Sequence, residues 1–60
     1  MAEAVFIIHQ ESNKKWVWHL VAPTDEFIAS SSKSYETEEE CREEIEGIKN
    51  YAANARIINK

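Results

Sequence analysis

One apolar stretch organises this chain: Lys15-Trp16-Val17-Trp18-His19-Leu20-Val21-Ala22. Read with a period of two, its two sides are both largely apolar, one carrying Trp16, Trp18 and Leu20 and the other Val17, His19 and Val21. A strand with one face in water alternates apolar and polar residues, whereas a strand covered on both faces need not. We therefore predict the central strand of a small sheet with a packing partner on each face.

The length of 60 residues allows one domain, placed here at residues 1–60, with no room for a second core. So short a chain buries only about 60 % of the surface that its unfolded form exposes, and some supplement to the core is expected. Cys41 is the single cysteine, so an internal disulfide is excluded. His9, His19 and Cys41 lack the spacing of a zinc site. Association with another chain remains as the expected supplement to the core.

The charge balance argues against nucleic acid as a partner. The net charge is −4, from 11 acidic and 7 basic residues, with no basic patch to neutralise phosphates. No apolar run approaches the length of a membrane span, and Met1-Ala2-Glu3 lacks the charged-then-apolar start of a signal peptide. We expect a cytoplasmic protein with no cofactor, no metal and no membrane or nucleic-acid partner.

A first strand is predicted over residues 4–10, which are rich in β-branched and aromatic types. The polar turn Glu11-Ser12-Asn13-Lys14 follows, with Asn13 suited to a left-handed conformation. Matching the faces of the two strands pairs Glu11 with Lys15 as a cross-strand ion pair. The other predicted pairs are Val5 with Val21, Phe6 with Leu20, Ile7 with His19, Ile8 with Trp18 and His9 with Val17.

Pro23-Thr24-Asp25 is the second predicted turn, leading to a third strand over residues 26–30. The same parity places Ile28 beside Leu20 and Phe27 beside Val21. The serines at 31, 32 and 34 are interpreted as an edge strand leaving the sheet.

A helix is predicted to begin at the capping box Thr37-Glu38-Glu39-Glu40. An apolar stripe of Cys41, Ile45, Ile48 and Ala52 follows at helical spacing, and Gly47 suggests a close approach to the sheet. The helix should end between Tyr51 and Asn54, with Asn54 as a left-handed cap. Residues 55–58 then predict a short last strand.

The order of motifs resembles the YegP-like family, a group of small prokaryotic domains of unknown function. The motifs are Phe6, Trp16-x-Trp18-x-Leu20, Ile28-Ala29, Ser-x-x-Tyr35 and a helix with Cys41, Ile45 and Ile48, spanning roughly residues 5–58. The resemblance implies an α+β fold in which three antiparallel strands precede a helix and a short strand. It also implies pairing of two such units, in tandem or as a homodimer, and brings no catalytic residues. The chain departs from the family at Pro23-Thr24-Asp25, where Asn-Gly is usual, and at Glu44.

Each candidate site has a structural interpretation beside the functional one. Cys41 near a helix N-terminus could be reactive, but the surrounding glutamates disfavour a thiolate, and we predict a buried structural cysteine. His9 and His19 share a sheet face, where a metal or pH-sensing pair is the alternative to ordinary packing. Trp16 and Trp18 are expected in the core rather than as a stacking platform. The acidic helix face is expected to be solvated.

A count of faces predicts a homodimer. One helix stripe can cover one face, the one with Phe6, Ile8, Trp18, Leu20 and Ile28. The other face would be an unusually apolar surface for a monomer, and Ala29 is also placed there. The predicted dimer interface consists of Val5, Ile7, Val17, His19, Val21 and Phe27.

We therefore expect a non-enzymatic structural or protein-interaction module. One alternative is a peptide-binding module that accepts a strand at the edge formed by residues 28–32. The other is an enzyme whose site is assembled across the dimer from His9, His19 and serines.

Overall fold

A computed structural model of the chain describes residues 3–60, so Met1 and Ala2 of the segment assessed for a signal peptide lie outside the described residues. Its elements are β1 (Val5–Gln10), β2 (Trp16–Val21), β3 (Phe27–Ser30) and α1 (Glu38–Ala53). The three strands form one antiparallel sheet in the order β1-β2-β3, and α1 packs over β1 and β2. The predicted α+β class and the central position of β2 are confirmed.

The first hairpin has the predicted register, including Phe6 opposite Leu20 and Ile7 opposite His19. Its loop closes with the Glu11 amide donating to the Lys15 carbonyl at 2.7 Å and the Lys14 amide donating to the Glu11 carbonyl at 2.9 Å. The left-handed residue is Lys14, with φ of 70°, and not Asn13 as predicted. Asn13 instead accepts a hydrogen bond from the Lys15 amide through Oδ1 at 3.0 Å.

The second hairpin closes in the same way. The Ala22 amide donates to the Glu26 carbonyl at 2.8 Å, and the Asp25 amide donates to the Ala22 carbonyl at 2.9 Å. Asp25 has a φ of 69° and occupies the position that Lys14 occupies in the first loop. Both loops therefore place a residue with a side chain in a conformation that glycine adopts more easily.

The register of β3 differs from the prediction after its first residue. Phe27 lies opposite Val21 as expected, but Ala29, not Ile28, lies opposite Leu20. Ile28 is the extra residue of a β-bulge and is 52 % exposed. The bulge shifts the alternation by one residue, so Ala29 packs against the core under the helix instead of on the opposite face.

The predicted N-cap of α1 is confirmed, since Thr37 Oγ1 accepts from the Glu40 amide at 3.1 Å. Glu40 Oε1 accepts from the Glu36 amide at 3.1 Å, and not from the Thr37 amide that a capping box uses. The helix ends at Ala53 within the predicted range, but Asn54 has a φ of −112° and is not a left-handed cap. Its Nδ2 donates to the Asn50 carbonyl at 3.3 Å instead.

The core lies between the sheet and the first half of α1. Trp18, Cys41 and Ile45 are buried, whereas Ala52 at the far end of the predicted stripe is exposed. Tyr35 is also buried, and its backbone bridges Trp16 with two hydrogen bonds of 2.8 Å each. The partly buried side chains that complete this core are Phe6, Ile8, Trp16, Leu20, Ala29 and Ile48.

Residues 55–60 form no strand on their own chain, so the predicted fourth strand is wrong for a single copy. Ile57 is 100 % exposed and Ile58 is 66 % exposed. A short strand gains stability only from an edge that pairs with its backbone and a surface that covers its side chains. The tail finds neither within this chain.

Candidate interaction surface

The sheet face turned away from α1, called the open face here, is the main unpaired surface of the described residues. Its side chains alternate along β1 and β2 with those that face the helix, and Phe27 continues the row from Val21 on β3. The open face consists of Val5, Ile7, His9, Val17, His19, Val21 and Phe27.

The open face is apolar and incompletely covered. Ile7 is 47 % exposed, Val5 is 42 % exposed and Phe27 is 60 % exposed. Val17 and Val21, in the middle strand, are half-buried by their neighbours alone. Apolar side chains this contiguous usually mark a contact surface in a protein.

His9 and His19 meet on the open face, as the parity of their strands predicted. Their rings are nearly parallel, with centroids 4.9 Å apart and planes inclined by 19°. Their Nε2 atoms are 2.9 Å apart and share a hydrogen bond. His19 also lies against the Phe27 ring, with centroids 5.8 Å apart, and its Nδ1 is buried with no hydrogen-bond partner among the described residues.

Cys41 is the most buried side chain and is 0 % exposed. Burial raises the pKa of the Cys41 thiol, and the Glu38 carboxylate raises it further against the opposing effect of Arg42. The thiol is therefore held in its neutral form inside the core. The structural interpretation of this cysteine is confirmed.

The tryptophans are part of the core, as predicted. Trp18 is 7 % exposed and packs edge-on against Phe6, with ring centroids 5.3 Å apart. Burial raises the pKa of the Tyr35 phenol. The nearby Trp18 indole N–H lowers the pKa of the Tyr35 phenol and so opposes the effect of burial, although this N–H forms no hydrogen bond. An indole covered in this way presents no platform for stacking.

The cross-strand ion pair predicted between Glu11 and Lys15 is wrong. Lys15 instead contacts Glu36 at 2.7 Å, and Glu11 accepts from the Ser34 hydroxyl at 3.1 Å. The segment from Ser34 to Glu36 crosses beside the first hairpin, because Tyr35 is bridged to Trp16. Sequence parity could not reveal these contacts, since their partners come from a segment 19 to 23 positions away. Two ion pairs form along the helix, Arg42 with Glu38 at 2.9 Å and Lys49 with Glu46 at 3.7 Å.

A groove of about 520 Å³ lies between α1 and the segment before it, and sequence reasoning did not find it. Tyr35 and Tyr51 line it together with Glu40, Glu43 and Glu44. Lys33 lies 5.4 Å from the centroid of the Tyr35 ring and supplies a cation at the mouth of the groove. The groove is open to solvent along the acidic helix face.

The serines do not assemble a catalytic constellation with the histidines in the described part of the chain. Ser31 continues the ladder, its amide donating to the Trp18 carbonyl at 2.9 Å and its hydroxyl accepting from the Trp18 amide at 3.4 Å. Ser34 is engaged with Glu11. Among residues 3–60, no three His, Cys, Asp or Glu side chains are grouped to hold a metal ion, and no helix is long and apolar enough to cross a membrane.

Fold and surface define a small α+β domain with one helix on one side of a three-stranded sheet. Residues 11–59 match the family model described as a domain of unknown function, DUF1508, and the chain belongs to this family, which is the YegP-like family. An NMR solution structure of a protein from Haloferax volcanii is similar to this chain, with 27 % identity, a TM-score of 0.83 and complete coverage of both chains. No curated protein matches the chain.

Proposed function

We propose that this chain is a non-enzymatic interaction module that acts as a homodimer, with Val5, Ile7, Val17, His19, Val21 and Phe27 in its interface. The observation that carries the proposal is the apolar open face, whose exposed apolar members Val5, Ile7 and Phe27 are 42–60 % accessible in a single chain. Each large apolar side chain contributes about 1.5–3 kcal/mol when fully buried. The free energy of unfolding of a 60-residue domain is small, so burial of these side chains would be a large contribution beside it.

A second copy suits this face because a two-fold axis would bring the same apolar rows together. The open face also has few charges to desolvate, since His9 and His19 are its only ionisable members among the described residues. Charged side chains concentrate on α1, on the other side of the sheet. Face-to-face packing therefore buries apolar surface without burying like charges.

The size of the open face argues that the tail contributes. Two strands of six residues and one of four measure at most roughly 20 by 14 Å, or about 300 Å² in flat projection. Stable interfaces bury about 800 Å² per partner, so the sheet alone would supply only the centre of one. The exposed tail with Ile57 and Ile58 supplies further apolar surface, and we place it on the partner.

The cellular setting in this proposal is the cytoplasm, with no nucleic acid as partner. An unpaired, buried Cys41 suits a reducing compartment. The net charge of −4 disfavours phosphate backbones. The rival in which a peptide adds a strand at residues 28–32 has weaker support, since the bulge at Ile28 interrupts that edge.

Sedimentation equilibrium at micromolar protein tests the dimer. We expect about 14 kDa, twice the 7.0 kDa of the chain. Val17→Asp should dissociate the dimer and lower its stability, and the milder Ile7→Ala should weaken association about tenfold or more while leaving the chain folded. The matched control is Asn50→Asp, which adds the same charge on the exposed helix surface. A folded 7.0 kDa species for the unmodified chain would refute the proposal.

Removal of residues 56–60 tests the role of the tail separately. We expect the truncated chain to retain its circular dichroism spectrum, because the tail makes no strand within its own chain. Its dimer should have a larger dissociation constant and should therefore dissociate at higher protein concentrations than that of the full chain. An unchanged dissociation constant would show that the open face suffices.

A further inference from the structure

His9 and His19 bring two imidazole nitrogens within hydrogen-bond distance of each other. Their Nε2 atoms lie 2.9 Å apart, one donating and one accepting, so a single proton lies between two basic nitrogens. We propose that these two histidines form a chelate for a divalent transition-metal ion that prefers ligands at right angles, namely Cu²⁺ or Ni²⁺. The chelate uses residues of one chain but lies on the open face, so the ion and the proposed dimer share this face.

The separation of the two nitrogens selects the class of ion. Two imidazole nitrogens bound at about 2.0–2.1 Å and at a right angle are about 2.8–3.0 Å apart, whereas a tetrahedral ion requires about 3.3 Å. The observed 2.9 Å is a hydrogen-bond distance at which the two Nε2 atoms face each other, so the His9 ring must turn before both lone pairs meet at one ion, and a turn that keeps this spacing gives the first arrangement. Cu²⁺ and Ni²⁺ adopt square-planar or tetragonal coordination, and Zn²⁺ adopts tetrahedral coordination.

The sheet holds the pair in place before any ion arrives. Hydrogen-bonded strands fix the two backbones, with Ile7 opposite His19 and Val17 opposite His9. His19 Nδ1 is buried, so Nε2 is the nitrogen of this ring that is directed toward His9. Two ligands fixed in advance bind an ion more tightly than two free ones, because less conformational freedom is lost.

Binding requires one tautomer change and no net release of protons. Both Nε2 atoms must offer lone pairs to the ion, so the shared hydrogen moves to the Nδ1 atom of its own ring. His9 is exposed, so its ring can exchange this proton with water and turn about χ2 toward the ion. No third protein ligand is grouped with the pair among residues 3–60, so water would complete the coordination within one chain.

Titration of the full chain with CuCl2 and NiCl2 at pH 7.5, followed by calorimetry, tests the chelate. We expect one ion per chain with micromolar affinity, and a Cu²⁺ electron paramagnetic resonance spectrum with coupling to two nitrogens. His9→Gln should weaken binding at least tenfold and reduce the coupling to one nitrogen. This variant is decisive because His9 is exposed and its replacement leaves the core untouched.

Two comparisons complete the test. Gln10→Ala, which removes the neighbouring exposed side chain on β1, should bind Cu²⁺ as the unmodified chain does. ZnCl2 should bind more weakly than NiCl2 because of its tetrahedral preference. The proposal is overturned by absence of binding at 100 µM ion, by equal affinity of His9→Gln, or by a one-nitrogen spectrum for the unmodified chain. Because the chelate shares the open face with the proposed dimer, the titration is repeated with Ile7→Ala, whose weakened dimer leaves the pair accessible, and absence of binding is judged on this variant as well as on the unmodified chain. Sedimentation of the same samples reports whether the dimer is present.

Discussion

The two faces of the sheet are made by the same three strands but have different surroundings. On the covered face, Trp18 is 7 % exposed beneath Ile45 and Cys41 of the helix. On the open face, Ile7 is 47 % exposed although it precedes Ile8 of the core directly. A chain with one helix can cover one face, and the apolar character of the other supports the proposed association. The comparison separates contacts that stabilise the fold from those available for association.

The largest expected effect is at the covered face. Ile45→Ala should lower the free energy of unfolding by about 2–4 kcal/mol, because the space it leaves beside the indole of Trp18 cannot close fully. Urea denaturation measures the loss, with Tyr51→Ala, at a position 76 % exposed, as the control. Equal effects of the two variants would mean that the helix does not cover this face as described.

The next largest effect on stability is expected at the N-cap of the helix. Thr37→Ala removes the acceptor of the Glu40 amide and should cost about 1 kcal/mol of stability. Thr37→Ser keeps a hydroxyl oxygen at this position and should retain most of that stability. Thermal denaturation of both variants checks the assignment, and a serine variant as unstable as the alanine variant would contradict it.

Gly47 lies within the helix that forms the cover, and the predicted close approach to the sheet is wrong. A Cβ atom at this position would meet only Tyr51 Cε2, at 3.7 Å, which is ordinary contact. Gly47→Ala should therefore raise the free energy of unfolding by about 0.8–1 kcal/mol through helix propensity. Denaturant melts measure the gain, and a loss of stability would reveal a constraint that this geometry does not contain.

The hairpin loop beside the open face offers a smaller gain. Asp25 has a φ of 69°, a left-handed conformation that costs less free energy for glycine than for a residue with a side chain. Glycine also loses more conformational entropy on folding, but we expect the first effect to exceed the second by about 0.5–1 kcal/mol. Asp25→Gly should therefore be stabilising by that amount. Thr24→Gly is the matched control, since Thr24 lacks a positive φ and should lose stability on the same change. Opposite signs in calorimetric melting temperatures are expected for the two variants.

The smallest effect concerns the exposed pair of Lys15 and Glu36. Lys15 lowers the pKa of the Glu36 carboxyl, chiefly through a hydrogen bond, and Glu36 raises the pKa of Lys15 in return. The contribution of Glu36 is thus present above the ordinary glutamate pKa and lost as the pH falls through its lowered folded value. The melting temperature of Glu36→Gln should lie slightly below that of the unmodified chain at pH 7, with the difference vanishing in acid. A difference that persisted in acid would exclude the ion pair as its cause.

Much of the candidate surface could be predicted from period-two alternation along β1 and β2. His9 and His19 were placed on one face in this way, beside Val17 and Ile7. Their 2.9 Å contact could not be predicted, because ring rotation depends on neighbouring side chains such as Phe27. Ala29 was assigned to the wrong face because a bulge leaves no local signal in a strand of four residues.

The sequence by itself determined the features that neighbouring residues control. Alternating side chains specified β1, β2 and their register, and the hydroxyl of Thr37 specified the start of the helix. Tertiary structure alone decided the bulge at Ile28, the bridge from Trp16 to Tyr35 and the absence of a fourth strand. These features depend on hydrogen bonds between distant segments, whose relative positions are set only when helix and sheet pack together. The tail after the helix pairs with neither edge strand of the sheet, and local preference alone does not hold a strand.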